Sequence, residues 1–328
     1  MKVVITGGAG FIGLRLANRL IELRELTGPS GAPEPIDALT LFDVGAPAAM
    51  PSAAGVAVEV VTGDIADHDT VFDLIDRDDI AVFHLASVVS GGAERDFDLA
   101  MRTNLDGGRH VLEALRARAG TPRLVFASSI AVFGGTAMPA SVGDTTKQTP
   151  RTTYGITKAI GELLINDYTR KGFIDGRTAR LPTVIIRPGK PNLAASSFVS
   201  GVFREPLAGV DFTLPVPIET AMPVAGYRAI VEGILRLHEI GGDALGDDRA
   251  VGLPSLDVTV AEMIEALHRV AGDRALGAIS VEPDRFIVEI CETWPAASDA
   301  ARAAALGLPG EDSLDDIVRH YIDDYLDT

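Results

Sequence analysis

The chain has 328 residues, 47% of them hydrophobic, and a formal net charge of −17. That apolar content suffices for a sizeable core, either one large α/β unit or a main domain with a smaller companion. So acidic a chain repels nucleic acid, which sets that partner aside, and an acidic substrate would need a local cationic pocket.

The first half alternates short β-branched runs with helical patterns. "KVVIT" (2–6) reads as a buried strand and "FIGLRLANRLIELREL" (11–26) as a helix stopped by Thr27, Gly28 and Pro29. "PSGAPEP" (29–35) reads as an exposed insertion. "ALTLFD" (38–43) and "AVEVVTGD" (57–64) give two more strands, "HDTVFDLID" a short helix and "IAVFHLA" (80–86) a fourth strand. A long amphipathic helix is expected over 95–119, then strand "RLVFASS" (123–129), helix 153–170 and strand "PTVIIRP" (182–188). Strand and helix repeated in this way predict a doubly wound parallel sheet, a Rossmann-type α/β fold.

Past residue 188 the rhythm breaks into Pro-, Gly- and Ser-rich text, with helices expected at about 225–240, 259–272 and 312–326. The expected organisation is a dinucleotide-binding domain over 1–188, with a returning segment at about 223–258. Residues 189–222 and 259–328 then form a smaller, mixed substrate lobe. The single cysteine, Cys291, precludes an internal disulfide, so a reducing, cytoplasmic setting is expected. The N-terminus does not read as a signal peptide, and no apolar run is long enough for a membrane span. The six histidines lack metal-ligand spacing, so no metal is expected.

"TGGAGFIG" follows the first strand and opens the first helix. Glycines at 7, 10 and 13 allow a tight turn, close approach to a pyrophosphate and close helix–strand packing. The helix start, at Phe11 and Ile12, offers free N–H groups to phosphate. Asp43 ends the second strand, where an acid accepts hydrogen bonds from an adenosine ribose; its late position follows from the insertion at 27–35. Such a carboxylate repels a 2′-phosphate, so the cofactor expected is NAD rather than NADP. Asp64 and Ile65 can bracket an adenine. Leu85, Ala86 and Ser87 can line the pyrophosphate and inner ribose, at the crevice where open α/β sheets bind ligands.

Together with "GDI", "HLAS", "MRTNLDGG", "VFASSIAVFG" and "TYGITKAIGE", this loop resembles the extended short-chain dehydrogenase/reductase family over residues 1–190. The resemblance implies a catalytic Ser129, Tyr154 and Lys158. Asn104 would support the lysine through a water or backbone contact, and Arg187 with Pro188 would lie beside the nicotinamide. Ser128 reads as structural. Phe133 stands where the family often has tyrosine. Tyr154 and Lys158 are one helical turn apart. A phenol titrates near ~10, and a nearby cation favours its phenolate.

Epimerases of that family usually carry Tyr-Gly-Pro after the last Rossmann strand; here "RPGKPNLAASSFVSGVFREPLAG" replaces it. This run and the tail "WPAASDAARAAALGLPGEDSLDDIVRHYIDDY" instead resemble the D-erythronate dehydrogenase branch. That likeness implies NAD-dependent oxidation of the C2 hydroxyl of a four-carbon sugar acid. Lys190, Asn192, Ser196, Ser197 and Arg204 are the candidate carboxylate donors, and Trp294 reads as a packing anchor. Two alternatives stay open: a nucleotide-sugar epimerase or dehydratase that retains NAD, and a non-enzymatic NAD-sensing module. Family members often dimerise through the helices at 95–119 and 153–170, so a homodimer is expected.

Overall fold

The computed structural model describes residues 1–47, 49–52, 55–190 and 194–326. Seven parallel strands form the main sheet: β1 (Lys2–Thr6), β2 (Ala38–Asp43), β3 (Ala57–Thr62), β4 (Ile80–His84), β5 (Arg123–Ser129), β6 (Asp175–Leu181) and β7 (Ala250–Gly252). Their spatial order is β7-β6-β5-β4-β1-β2-β3. Strand order reverses between β1 and β4, so a crevice opens beyond their C-terminal ends, where such sheets take ligands. Both strands are buried throughout, which explains their continuous apolar text.

Helices cover both faces. On one, α1 (Phe11–Leu23) and α6 (Tyr227–Glu239) bury Leu16, Leu20, Ile230 and Ile234. On the other, α2 (His68–Leu74), α3 (Gly107–Arg116) and α4 (Thr153–Arg170) bury Val71, Val111, Leu115 and Ile165. A third cluster forms the smaller lobe, where Phe198 and Val202 of α5 (Ser197–Leu207) meet Leu267 of α7 (Val260–Ala271) and Ile317 of α8 (Leu314–Tyr325). Strand Ala221–Gly226 joins this region, pairing parallel with Thr183–Ile185 and antiparallel with Leu256–Thr259. No helix among the described residues is long and apolar enough to cross a membrane.

Four local readings are corrected. The main-sheet strand expected at 182–188 is instead Asp175–Leu181, and Thr183–Ile185 belongs to a separate sheet with Ala221–Gly226. The helix expected at 95–119 is broken into Ser90–Arg95, Phe97–Ala100, a π-helical turn at Met101–Asp106, and α3. At the first break Asp96 caps the next helix, accepting from Leu99 N–H at 2.9 Å, a restart that the reading of 95–119 as one helix passes over. The insertion after α1 is a two-stranded ribbon, Glu25–Thr27 against Pro33–Pro35, entered through Arg24 at φ 65°. Helix α5 was unread because Ser200, Gly201 and Pro206 weaken its pattern. A Cβ at Gly201 would lie 2.7 Å from the Phe212 ring, so that glycine is set by packing.

Candidate active site

The glycine turn is shaped by steric necessity. Gly7 adopts φ +72°, and a Cβ there would lie 2.8 Å from Ala86 N; one on Gly13 would lie 2.3 Å from Gly7 O. Helix α1 thus packs directly on the turn, which abuts the end of β4. Its N-cap is Gly10, without a side-chain cap, and no acid occupies its first turn. The helix therefore presents uncapped N–H groups and partial positive charge, suited to a diphosphate. Beside it, Asp43 accepts from Ala9 N–H at 3.1 Å and from Val44 N–H at 2.8 Å, which fixes the carboxylate at the end of β2. Asp64 accepts from Ala66 N–H at 2.9 Å and lies 3.5 Å from the Arg102 guanidinium; Ile65 is buried. These features fit an NAD molecule laid across the crevice.

At the end of β4, Leu85 N–H donates to Thr6 O at 3.0 Å and Ala86 N–H to the Thr6 hydroxyl at 3.3 Å. That hydroxyl also bonds His84 Nδ1 at 2.7 Å. Burial, with Lys158 nearby, pushes His84 down to about 3, so the ring stays neutral. Asn104 sits on the π turn and is buried. Its carbonyl accepts from Val88 N–H at 2.7 Å and from the Ser87 hydroxyl at 3.1 Å; its amide donates to Val88 O at 3.1 Å and Thr157 Oγ1 at 3.2 Å. Asn104 therefore clamps the loop after β4 to α4, and Thr157, not Lys158, receives its direct hydrogen bond.

Ser129 ends β5 in extended conformation, its hydroxyl accepting from Ala131 N–H at 3.2 Å. Helix α4 starts at the Thr152 cap, whose hydroxyl accepts from Gly155 N–H at 3.1 Å. A Cβ on Gly155 would lie 2.1 Å from Ala131 O. The glycine inside "TYGITK" thus lets the start of α4 rest on the loop after Ser129, bringing Tyr154 to Ser129. Ser128 points elsewhere, donating to buried Glu162 at 2.5 Å, as expected of a structural residue.

Lys158 is buried one turn beyond Tyr154. Its ammonium donates to Ala127 O at 2.7 Å and stands 4.7 Å above the Phe126 ring centroid and 5.5 Å from that of Tyr154. Burial pushes Lys158 down to about 7, with Glu162 opposing. Burial raises the Tyr154 phenol, opposed by its hydrogen bond with Ser129.

Ser129 and Tyr154 line one cavity of about 160 Å³, with Ser90, Thr183, Ser196 and Trp294 also in its wall. A second cavity of about 260 Å³ adjoins it at Ala194 and is lined by Ser197 and Arg204. Arg204 is spoken for: it donates to Arg187 O at 2.9 Å and to Glu205 at 3.1 Å. Lys190 is exposed and lines neither cavity. Asn192 lies outside the described residues. Pro188 is half-buried and outside both cavity walls. Sequence reasoning missed Ser90 and Thr183, and it assigned Trp294 to packing alone. Ser90 follows the β4 end by a few residues, the one hint available; Thr183 gives none.

The model of the family described as "NAD dependent epimerase/dehydratase family" matches residues 3–224. The chain is 50% identical to the D-erythronate dehydrogenase of Cupriavidus necator, covering 99% of this chain and 98% of that protein. It is 39% identical to that of Haemophilus influenzae, covering 98% and 99%. A solved structure titled as a nucleoside-diphosphate-sugar epimerase from Agrobacterium tumefaciens superposes with a TM-score of 0.91 at 41% identity, covering 99% of this chain and 94% of that one. With the glycine turn, the strand order and these relatives in agreement, the chain belongs to the NAD-dependent epimerase/dehydratase family and is an NAD-dependent dehydrogenase within it.

Proposed function

We propose that the chain oxidises the C2 hydroxyl of D-erythronate, or a close small sugar acid, to the 2-oxo acid. Ser129, Tyr154 and Lys158 would be the working residues. The observation that carries this reading is the meeting of Ser129 and Tyr154 in a cavity of about 160 Å³. That volume is well below the roughly 300 Å³ at which pockets for larger ligands begin, and it suits a four-carbon acid. Ser129 holds the substrate oxygen beside the phenol. Tyr154 takes the hydroxyl proton, and Lys158 supplies the adjacent positive charge that favours the phenolate. When bound, NAD accepts the hydride that leaves C2. Asn104 keeps the loop and α4 in register.

The test is a spectrophotometric panel of aldonates and UDP-sugars with NAD. Continuous NADH formation with D-erythronate is expected; its absence across the aldonates refutes the reading. A second reading, nucleotide-sugar epimerisation, draws support from the adjoining cavity with Phe198, Phe212 and Phe286 in its wall. The name of the Agrobacterium structure also favours it. Under that reading UDP-sugars are interconverted without net NADH.

Asp43 is assigned to the adenosine ribose hydroxyls. Asp43→Asn should lower the NAD-over-NADP ratio of kcat/KM at least tenfold, because the repulsion of a 2′-phosphate is removed. An unchanged ratio removes Asp43 from this role.

A homodimer is proposed through the helical segments at 97–116 and 153–170. They leave Phe97 at 59% exposure, Ile156 at 45% and Leu163 at 64%, more apolar surface than isolated helix faces need. Sedimentation should give a dimer for the wild type and a monomer for Leu163→Glu. A monomeric wild type contradicts the proposal.

A further inference from the structure

Lys158 and Glu162 lie one helical turn apart on α4, and both are buried. Their head groups reach successive residues of β5. The Lys158 ammonium donates to Ala127 O at 2.7 Å, and the Glu162 carboxylate accepts from the Ser128 hydroxyl at 2.5 Å. A buried cation and a buried anion are thus held over neighbouring residues of one strand, just before Ser129.

The carboxylate is fixed on every side. Arg180 of β6 donates to one oxygen from Nε at 3.1 Å and to the other from Nη2 at 2.7 Å, and the Gln148 amide also donates to it. Arg180 Nη1 donates in turn to Asp144 at 3.0 Å, and Asp144 accepts from Gly252 N–H at 2.9 Å. Asp144 and Gln148 belong to the segment that joins Ser129 to the Thr152 cap. Two-pronged pairing with further hydrogen bonds is the geometry that offsets the cost of burying such charges.

Burial strips water from the Lys158 ammonium, and its hydrogen-bond partner is a neutral carbonyl. Glu162 supplies the opposing charge. The other groups around α4 do not. His84 of β4 is kept neutral by burial, β5 adds the Phe126 ring at 4.7 Å, and the π turn adds neutral Asn104. Glu94 accepts from Thr153 N–H at 2.7 Å at the start of α4, and Glu113 of α3 is bonded to Tyr168 near its other end. Arg180 is shared between Glu162 and Asp144.

We propose that Glu162, locked in place by Arg180, is a positioning residue that keeps Lys158 charged. The inference rests on the reading of Tyr154 and Lys158 as working residues, because a neutral Lys158 cannot favour a phenolate. Without Glu162, the first proton lost to solvent as pH rises comes from Lys158 rather than Tyr154. That leaves a neutral amine beside a neutral phenol, and the base is lost.

Lys2, Lys147, Lys158, Lys171 and Lys190 are the lysines of the chain, so NMR of lysine labelled at Cε gives a simple spectrum. The signal missing from Lys158→Arg identifies Lys158. In Glu162→Gln its titration midpoint should fall by about one pH unit, whereas Glu162→Asp, which keeps the charge, should hold it within about half a unit. With D-erythronate and NAD, Glu162→Gln should lower the kcat plateau about tenfold and move its rising limb to lower pH. A merely structural defect lowers the plateau and leaves the limb where it was. An unmoved Lys158 midpoint or an unmoved limb in folded Glu162→Gln, or an equal fall in Glu162→Asp, overturns the proposal. If Glu162→Gln fails to fold, the wild-type titration decides: Lys158 should be charged at about pH 6, and a neutral amine there overturns the proposal. The NMR titration needs no turnover. Failure of D-erythronate oxidation with the expected Lys158 response therefore counts against the C2-oxidation reading, not against Glu162.

Discussion

Tyr154→Phe should lower turnover at least a hundredfold and leave NAD binding within about twofold. A hundredfold is about 2.7 kcal/mol of transition-state stabilisation at 1.36 kcal/mol per decade. The size follows from what surrounds the reacting hydroxyl. Among the described residues lining the cavity, Tyr154 is the only one whose side chain titrates below the range of alcohols. Serine and threonine hydroxyls are far weaker acids, so they can orient an oxygen but not take its proton. His84 is held neutral by burial and lies outside the wall. Glu162 is tied to Arg180 at 2.7 Å. Lys158 is anchored on Ala127 O at 2.7 Å and does not line the cavity. With no other proton acceptor at hand, removing one oxygen removes the route. Phenylalanine keeps the ring and its packing, so the fold and the glycine turn stay intact. Kinetics with D-erythronate and a direct NAD titration check both halves. Near-normal turnover would mean that another group takes the proton.

Gly13→Ala should weaken NAD binding at least a hundredfold. The added Cβ would lie 2.3 Å from Gly7 O and 2.8 Å from Gly8 Cα, both backbone atoms. A side chain could swing aside, but here the turn itself must open, and the N–H groups at the start of α1 move with it. The loss is expected to fall on the cofactor because a glycine turn and helix start of this kind suit a diphosphate. Gly45→Ala is the matched control: a Cβ there meets nothing within 4 Å, and affinity should not change. Calorimetric titration with NAD, alongside melting of both variants, separates lost binding from lost folding. A folded Gly13→Ala protein that binds NAD normally would mean that the diphosphate lies elsewhere.

Both of these positions were legible in the sequence because each depends on few residues at short spacing. A glycine turn between a strand and a helix announces its geometry, and Tyr154 and Lys158 share one helical turn. Ser129 was legible only through the family resemblance, where the Ser-x-x-Val-aromatic-Gly pattern with Val132, Phe133 and Gly134 selects it. The remainder of the cavity was not legible, for a physical reason. Ser196 and Trp294 come from irregular segments far apart in the chain, and Thr183 opens a strand of three residues, too short for any periodicity to record what faces what. The role of Asn104 was only half legible. The resemblance suggested an asparagine supporting the lysine, but its partners at Val88 and Thr157 are distant in the chain and are set by the π turn that carries it. Of the carboxylate donors suggested by the sequence, Ser196 lines the cavity and Ser197 its neighbour. Arg204 instead spends its guanidinium on Glu205 and the Arg187 carbonyl, and Lys190 stays in solvent.

The central claim is that C2 of a small sugar acid gives up its hydride while Tyr154 takes the hydroxyl proton. D-erythronate deuterated at C2 tests this most directly. One deuterium should appear in the reduced cofactor for each 2-oxo acid formed, with slowed turnover where hydride transfer limits the rate, and Tyr154→Phe should abolish both. Reduced cofactor formed without deuterium from that substrate would contradict the account.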